Sequence, residues 1–399
     1  MSRALRDAYI VAATRTPIGK APRGSLKHLR PDDLLVHALR SLIASVPSVD
    51  PARIDDVIVG CAMPEGPQGL NVARIGALLA GLPSSVAGVT VNRFCAAGLT
   101  AIAMAADRIR VGEADAIIAA GTESMSQVPS GGNAPSLNPR LFFEDADVAI
   151  AYGMGITAEK VAERWKVSRE DQDAFALASH HKAAKAQQSG WFQAEISPID
   201  IEEHRPDLVS GRVALERRTL SLDEGVRADS SLEALAKLKP VFAAKGSVTA
   251  GNSSQTSDGA GALLLVSGEV LKQFNLTPLA RFVSFAVKGV PPEIMGIGPI
   301  EAIPAALSLA GLKTADLGWL ELNEAFAAQS LAVIRELRLD PEVVNPMGGA
   351  IALGHPLGAT GAIRAATVVH GLRRTQRKHG MVSMCVGTGM GAAGIFERL

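Results

Sequence analysis

The sequence predicts an α/β fold built from two similar halves, with a segment inserted into the first. Three observations carry this. Short apolar runs of strand character alternate with longer helix-compatible segments, the pattern of a buried sheet covered by helices. Two stretches share order and size: Cys95-Ala96-Ala97-Gly98, a helix and a strand at Asp115, then Gly358-Ala359-Thr360-Gly361, a helix and a strand at Met381. Finally, 399 residues are too many for one core of ordinary size. A hydrophobic share of 47% against 20% charged residues suits a well-buried globule.

In chain order, residues 9–13 read as a strand, followed by the turn-rich Thr16-Pro17-Ile18-Gly19. Residues 32–43 read as helix, 55–60 as strand, 71–79 as helix and 86–91 as buried strand. The strand at 86–91 leads to Cys95, after which small and aliphatic residues run at helical spacing to about Val111. Residues 115–121 read as a further buried strand. Residues 124–139, rich in Ser, Pro, Gly and Asn, read as an irregular loop. Helices follow at 157–165 and 168–189, the second opening on Ser168 with Asp171, an N-cap arrangement. Residues 198–227 are charged and weakly periodic, and hold Arg205, Arg212, Arg217, Arg218 and Arg227.

We therefore divide the chain into a first half, 1–121 completed by 252–270, an inserted segment, 122–251, and a second half, 271–399. The insertion reads either as a solvated surface elaboration or as a lid carrying cations to an anionic substrate. Residues 247–254, 258–261 and 262–266 read as strand, turn, strand. The same shape closes the chain at 381–387, 388–391 and 392–396.

Lys+Arg and Asp+Glu are 40 each, so no excess of basic charge points to nucleic acid or an anionic membrane. Three cysteines make no paired framework, which suits a reducing compartment. Residues 1–7 are too short and polar for a signal peptide, and no apolar stretch is expected to span a bilayer. The last residues, Glu397-Arg398-Leu399, are not Ser-Lys-Leu, and the expected location is the cytoplasm.

Chemistry concentrates in four places. Cys95 stands where a strand ends and a helix begins, so unpaired N–H groups and the helix dipole are expected to favour its thiolate. A buried structural cysteine is the plain alternative. Asn323 follows the strand-like Trp319-Leu320-Glu321-Leu322 and could hold a water or orient a carbonyl. His355 lies in Gly354-His355-Pro356-Leu357-Gly358, a punctuated turn where an imidazole could take the Cys95 proton. Cys385-Val386-Gly387-Thr388-Gly389 offers the Gly387 N–H as a donor to an oxyanion. If the halves are duplicates, the site lies where they meet.

Along its whole length the sequence resembles the thiolases, of the acetyl-CoA acyltransferase kind. The likeness runs through Asn92-Arg93-Phe94-Cys95, Val248-Thr249-Ala250-Gly251-Asn252, Met295-Gly296-Ile297-Gly298-Pro299, Asn323-Glu324-Ala325-Phe326 and the His355 and Cys385 loops. It implies two βαβαβαββ-type halves in a five-layer αβαβα arrangement, with a loop domain inserted in the first. It implies cleavage of 3-ketoacyl-CoA by coenzyme A. Cys95 would carry the acyl group and His355 would activate it. Cys385 would trade a proton with the α-carbon of acetyl-CoA. Asn323, through a water, and His355 would form one oxyanion hole; the N–H groups of Cys95 and Gly387 would form the other. Arg227 and Ser254 match positions that contact coenzyme A. Met154, Met295 and Phe326 match positions near the acyl and pantetheine ends. Coenzyme A enters as substrate; no tightly bound cofactor and no metal are expected. Relatives form dimers or tetramers, and some join a β-oxidation complex.

Two departures and several rivals matter. Gly153 precedes Met154 where some relatives carry His, so their acyl preference does not transfer, while Phe94 fits the degradative members. An acetoacetyl-CoA-specific biosynthetic thiolase is the nearest alternative. A ketoacyl synthase would use a second His where Cys385 stands. A papain-like protease leaves Cys385 and the Gly-rich loops unexplained. A non-catalytic acyl-CoA-binding scaffold has no use for all four chemical groups. Cys61 is expected to be structural.

Overall fold

Two sheets repeat one strand order. In a computed structural model the described residues are 5–143, 148–207 and 209–399, and the side chain of Arg205 lies outside those described. The first half holds β1 (Tyr9–Arg15), β2 (Gly19–Lys20), α1 (Pro31–Ala44), β3 (Asp56–Gly60), α2 (Val72–Ala80), β4 (Ala87–Val91), α3 (Ala97–Arg110) and β5 (Ala116–Ser124). The insertion holds α4 (Met154–Arg164), α5 (Arg169–Gln188), β6 (Ile199–Asp207), β7 (Arg212–Leu220) and α6 (Leu232–Ala236). Then come β8 (Ser257–Val266), α7 (Gly268–Gln273), β9 (Ala280–Gly289), α8 (Gly298–Ala310), β10 (Leu317–Leu322), α9 (Ala327–Glu336), α10 (Ala350–Leu353), α11 (Leu357–Thr375), β11 (His379–Val386) and β12 (Met390–Arg398).

In the first half the order is β4-β3-β5-β8-β1, with β4, β3 and β5 parallel and each later step antiparallel. In the second it is β10-β11-β12-β9, with β10 and β11 parallel and the later steps antiparallel. The position equivalent to β4 shrinks there to one parallel bridge, Leu320 to Val344. Among the described residues the two sheets are joined edge to edge by the pairs Tyr9↔Arg281 and Ile10↔Ala280. Three cores separate the layers. One packs α1 and α2 on the first sheet, one packs α8 and α9 on the second, and the central one surrounds α3 and α11. That makes the five layers αβαβα.

The central helices touch backbone to backbone. A Cβ on Gly98 would lie 2.7 Å from the Ala362 nitrogen, and one on Gly361 would strike Leu99. Small residues at these positions let the first turns of α3 and α11 meet, which brings Cys95 and His355 to one place. Arg15, at the end of β1, anchors the insertion: its guanidinium pairs with Glu195 at 2.7 Å and with Asp223 at 2.8 Å, all three side chains buried.

One expectation needs correcting, and two features did not show in the sequence. Residues 247–254 are not a strand, and 258–261 are not a turn: β8 runs unbroken through Asp258-Gly259-Ala260-Gly261, paired with Ser124 to Gly121 of β5. The glycines serve close approach, since a Cβ on Gly261 would lie 3.0 Å from the Ile363 nitrogen of α11. Residues 198–227 contain the β6–β7 hairpin; β7 is exposed along nearly all its length, so no alternation of polarity marks it. Among the described residues, Pro292–Ala310 has the length (19 residues) and apolarity to cross a membrane. It is a core segment here: a break at Ile294 precedes α8, whose Ala302, Ile303, Ala306 and Leu307 are buried in the core shared with the second sheet.

Candidate active site

Cys95 sits in a single 3-10 turn, Phe94–Ala96, between β4 and α3. Phe94 adopts φ +43°, a left-handed turn that swings the chain from strand to helix. The turn touches both α11 and β11. The Cys95 sulfur accepts from its own N–H and from that of Gly387, so both donors expected around it converge there. They lower its pKa, as expected, but burial outweighs them and pushes the thiol up to about 11, although part of the residue reaches solvent. The expectation of a resting thiolate is therefore corrected: desolvation wins over the dipoles.

The His355 ring is fixed in one tautomer. Its Nδ1 lies 2.7 Å from Thr360 Oγ1, and that hydroxyl spends its own hydrogen on the Pro356 carbonyl at 3.1 Å. Thr360 can then only accept, so Nδ1 carries the hydrogen and Nε2 the lone pair. Asn323 Nδ2 donates to Nε2 at 3.3 Å. Burial first, and the Arg364 charge second, push His355 down to about 3. The imidazole is neutral at physiological pH, as a base must be.

Asn323 follows β10, where its N–H donates to the Ser383 carbonyl at 2.9 Å. Its Oδ1 is buried and has no hydrogen-bond partner among the described residues. Cys385 lies on β11 opposite Gly391. Burial pushes its thiol upward, the neighbouring Cys95 adds to this, and its own N–H opposes them without winning.

Cys385 shares a small apolar cluster with Ala158, Val248, Met295, Ala325 and Phe326, with Met154 packed against it. A Cβ on Gly387 would meet Met154 Sδ at 3.7 Å and Phe94 at 4.0 Å, so these residues border the same space. The half-buried Ser254 donates its N–H to the Ala325 carbonyl at 2.9 Å, which lays 247–256 along the Asn323 loop. Arg227 is exposed, and its guanidinium makes no hydrogen bond or ion pair among the described residues. Two residues before it, the Gly225 carbonyl accepts from Gln255 Nε2 at 2.9 Å, the side chain that also bonds Ile351 and Ala352 ahead of His355. Arg217 and Arg218 are instead paired with Glu202 and Glu203.

Three contributors escaped the sequence reading. Thr360 sets the His355 tautomer; its place one turn after Pro356 was the available signal. Phe242 stacks edge-on against Phe326, at 6.2 Å and 87°, and comes from a stretch without periodicity. Glu123, an acid ending a buried apolar strand, was visible and passed over.

Fold and site together define a class: a duplicated α/β protein whose turn-to-helix cysteine, in one half, meets a neutral imidazole, a second thiol and an N–H donor from the other. The comparisons agree. Residues 8–269 match the thiolase N-terminal domain and residues 276–398 the thiolase C-terminal domain. The 3-ketoacyl-CoA thiolase of Bacillus subtilis (strain 168) is 50% identical, covering 98% of this chain and 100% of its own. The peroxisomal 3-ketoacyl-CoA thiolase of Homo sapiens is 46% identical over 98% of this chain and 91% of its own. Human mitochondrial 3-ketoacyl-CoA thiolase superposes with a TM-score of 0.89 at 39% identity, over 100% of both chains. The dimeric peroxisomal thiolase of Saccharomyces cerevisiae gives 0.88 at 41%, over 100% of this chain and 99% of that one. This chain belongs to the thiolase family.

Proposed function

We infer that this protein is an acyltransferase that cleaves 3-ketoacyl-CoA with coenzyme A, giving acetyl-CoA and a shortened acyl-CoA through an acyl group carried on Cys95. One observation carries the reading: the N–H groups of Cys95 and Gly387 converge on a sulfur that also neighbours Cys385 and lies in a turn touching the His355 helix. The names of the 3-ketoacyl-CoA thiolases at 50% and 46% identity support it.

The chemistry follows from these groups. Cys95 Sγ attacks the keto carbon as its proton passes to the neutral His355 Nε2. The keto oxygen gains negative charge where the Cys95 and Gly387 N–H groups point. The bond between keto carbon and α-carbon then breaks, and its electrons form the acetyl-CoA enolate. Cys385 gives its proton to that carbon; a thiol held high by burial still has it to give. Asn323 Oδ1 supplies an acceptor for a water that, with His355, holds the enolate oxygen. The thiol of coenzyme A takes the acyl group from Cys95 and returns a proton to the site. Coenzyme A is thus a substrate.

We also assign Arg227 and Ser254 to coenzyme A, and Met154, Met295 and Phe326 to its pantetheine and acyl ends. The free guanidinium of Arg227 supports the first, and the shared apolar cluster the second. The repeated strand order supports the division at 1–121 with 252–270, 122–251 and 271–399, although β5 runs on to Ser124. A homo-oligomer, dimer or tetramer, is supported by the dimeric yeast relative and by β4, a sheet edge. A cytoplasmic enzyme of β-oxidation, alone or with a partner subunit, is supported by the bacterial relative and three free cysteines; other relatives are peroxisomal.

Mass spectrometry after mixing with acetyl-CoA tests the reading. An acetyl group on Cys95 is expected; an adduct on Cys61 or Cys385, or none, refutes it. A second reading, acetoacetyl-CoA specificity, is favoured by the Bacillus anthracis acetyl-CoA acetyltransferase structure at TM-score 0.88 and 40% identity. Thiolysis rates across 3-ketoacyl chain lengths separate the two.

A further inference from the structure

Glu123, next to last in β5, is 0% exposed. A carboxyl so buried needs partners. They come from two segments far apart in the chain, 61–68 and the start of α11. Its Oε2 accepts from the Ala62 N–H at 2.7 Å and the Gly358 N–H at 2.8 Å. Its Oε1 accepts from the Met63 N–H at 3.3 Å, from Gln68 Nε2 and, weakly, from the Cys61 thiol at 3.9 Å. Every partner is a donor, so the carboxylate anion satisfies them all and the protonated acid does not.

Each end of this arrangement reaches a reacting group. Gly358 lies in the first turn of α11, just after His355. On the other side, the Ala62 carbonyl accepts from Asn92 Nδ2 at 3.0 Å, and Asn92 Oδ1 accepts from the Phe94 N–H at 2.8 Å, at the Cys95 turn. A continuous hydrogen-bonded path therefore joins the His355 helix to the Cys95 turn, with Glu123 at its centre. The path is tightly built: a Cβ on Gly358 would lie 2.7 Å from Glu123 Oε2 and 2.5 Å from the Ala62 nitrogen.

We propose that Glu123 is a positioning residue for acyl transfer: through Gly358 on one side, and Ala62 and Asn92 on the other, its carboxylate holds the His355 base in register with the Cys95 nucleophile. The proposal rests on the thiolase reading above. Glu123 touches no reacting atom in that scheme; it acts through the turns that carry the reacting groups. Register matters because proton transfer needs the heavy atoms within about 3.2 Å, and a misplacement of about 1 Å costs on the order of a hundredfold.

The test uses the full chain, with rates expressed per Cys95 that accepts an acetyl group. Glu123→Gln keeps the shape but turns an amide donor towards one of the N–H groups. Its kcat for thiolysis should fall by about tenfold or more while the KM for coenzyme A stays within about twofold, because the damage is to alignment and not to binding. Glu123→Asp keeps the charge and loses the reach, and should fall likewise. Asn92→Ala cuts the path at its exposed end and should lower kcat in the same manner. A kcat within about twofold of wild type in Glu123→Gln, or full activity in Glu123→Asp, overturns the proposal, since alignment losses of this kind are on the order of tenfold. Should neither Glu123 variant fold, Asn92→Ala decides: normal kcat overturns the path, and a lowered kcat with unchanged KM sustains it. A wild-type chain that takes no acetyl group on Cys95 would instead refute the thiolase reading.

Discussion

Thr360→Val is the sharpest test of how His355 is prepared for the role proposed for it. The substitution keeps the volume of a side chain that is 1% exposed and removes only its hydroxyl. Two hydrogen bonds go: Nδ1 of His355 loses its acceptor at 2.7 Å, and the Pro356 carbonyl loses a donor at 3.1 Å. A buried donor left unpaired costs about 1–3 kcal/mol. His355 can avoid that cost by moving its hydrogen to Nε2. In that tautomer it faces the Asn323 amide with a hydrogen and has no lone pair for the Cys95 proton. If the active tautomer falls by the same energy, the acylation rate falls about 5- to 150-fold. The KM for coenzyme A should not follow, since Thr360 is buried away from the ligand. Rapid-quench mass spectrometry of Cys95 acetylation measures the step, and a thermal melt checks the fold. Thr360→Ser keeps the hydroxyl and should recover most of the rate. Acylation of folded Thr360→Val within about twofold of wild type would refute the tautomer argument, being smaller than the loss of any buried hydrogen bond of this kind.

Other outcomes follow from the same geometry. With its thiol pushed up to about 11, Cys95 should be alkylated by iodoacetamide at a rate that climbs through neutral and alkaline pH, because protonation is favoured below that value; a plateau near pH 7 would show a resting thiolate. Cys385→Ala should still be acetylated on Cys95, yet lose 3-ketoacyl-CoA cleavage and the exchange of acetyl-CoA α-hydrogens with deuterated water, read by NMR; normal exchange would mean another group moves that proton. Arg227→Ala should raise the KM for coenzyme A esters by about 5- to 10-fold with kcat little changed, an exposed contact made equally in ground and transition states. Short thioesters lacking the nucleotide should not notice that change, and an equal effect on them would remove Arg227 from the contact.

Much of this was legible in the residues. The duplication shows in the echo between the Cys95 and Gly358 stretches because both open helices that need small residues to touch. His355 was readable because it sits between Gly354 and Pro356, and Cys385 because Gly387 and Gly389 follow its strand, since glycine and proline leave a strong local mark; Cys95 and Asn323 stand out instead as polar groups at the ends of apolar strands. What was not legible depends on who wins between opposing local and global effects. The turn at Cys95 does supply two N–H donors, but burial decides its proton. Gly259 and Gly261 look like turn residues, and only the helix lying against them explains why they stand in a strand. The β6–β7 hairpin lies under no core on one strand, so no alternation could reveal it.

The narrow join of the two sheets, two residue pairs among the described residues, and the meeting of their central helices also govern timing during synthesis. Cys95 leaves the ribosome early, whereas His355, Cys385 and Gly387, which meet it in the folded protein, come near the end. The first sheet waits as well, for β8 at Ser257–Val266, and α3 has no cover until α11 exists. A nascent chain therefore carries Cys95 without its partners, and leaves the apolar face of α3 uncovered until residues 357–375 have been made. The site is assembled in one late event, and until then the exposed apolar surface is of the kind that favours aggregation.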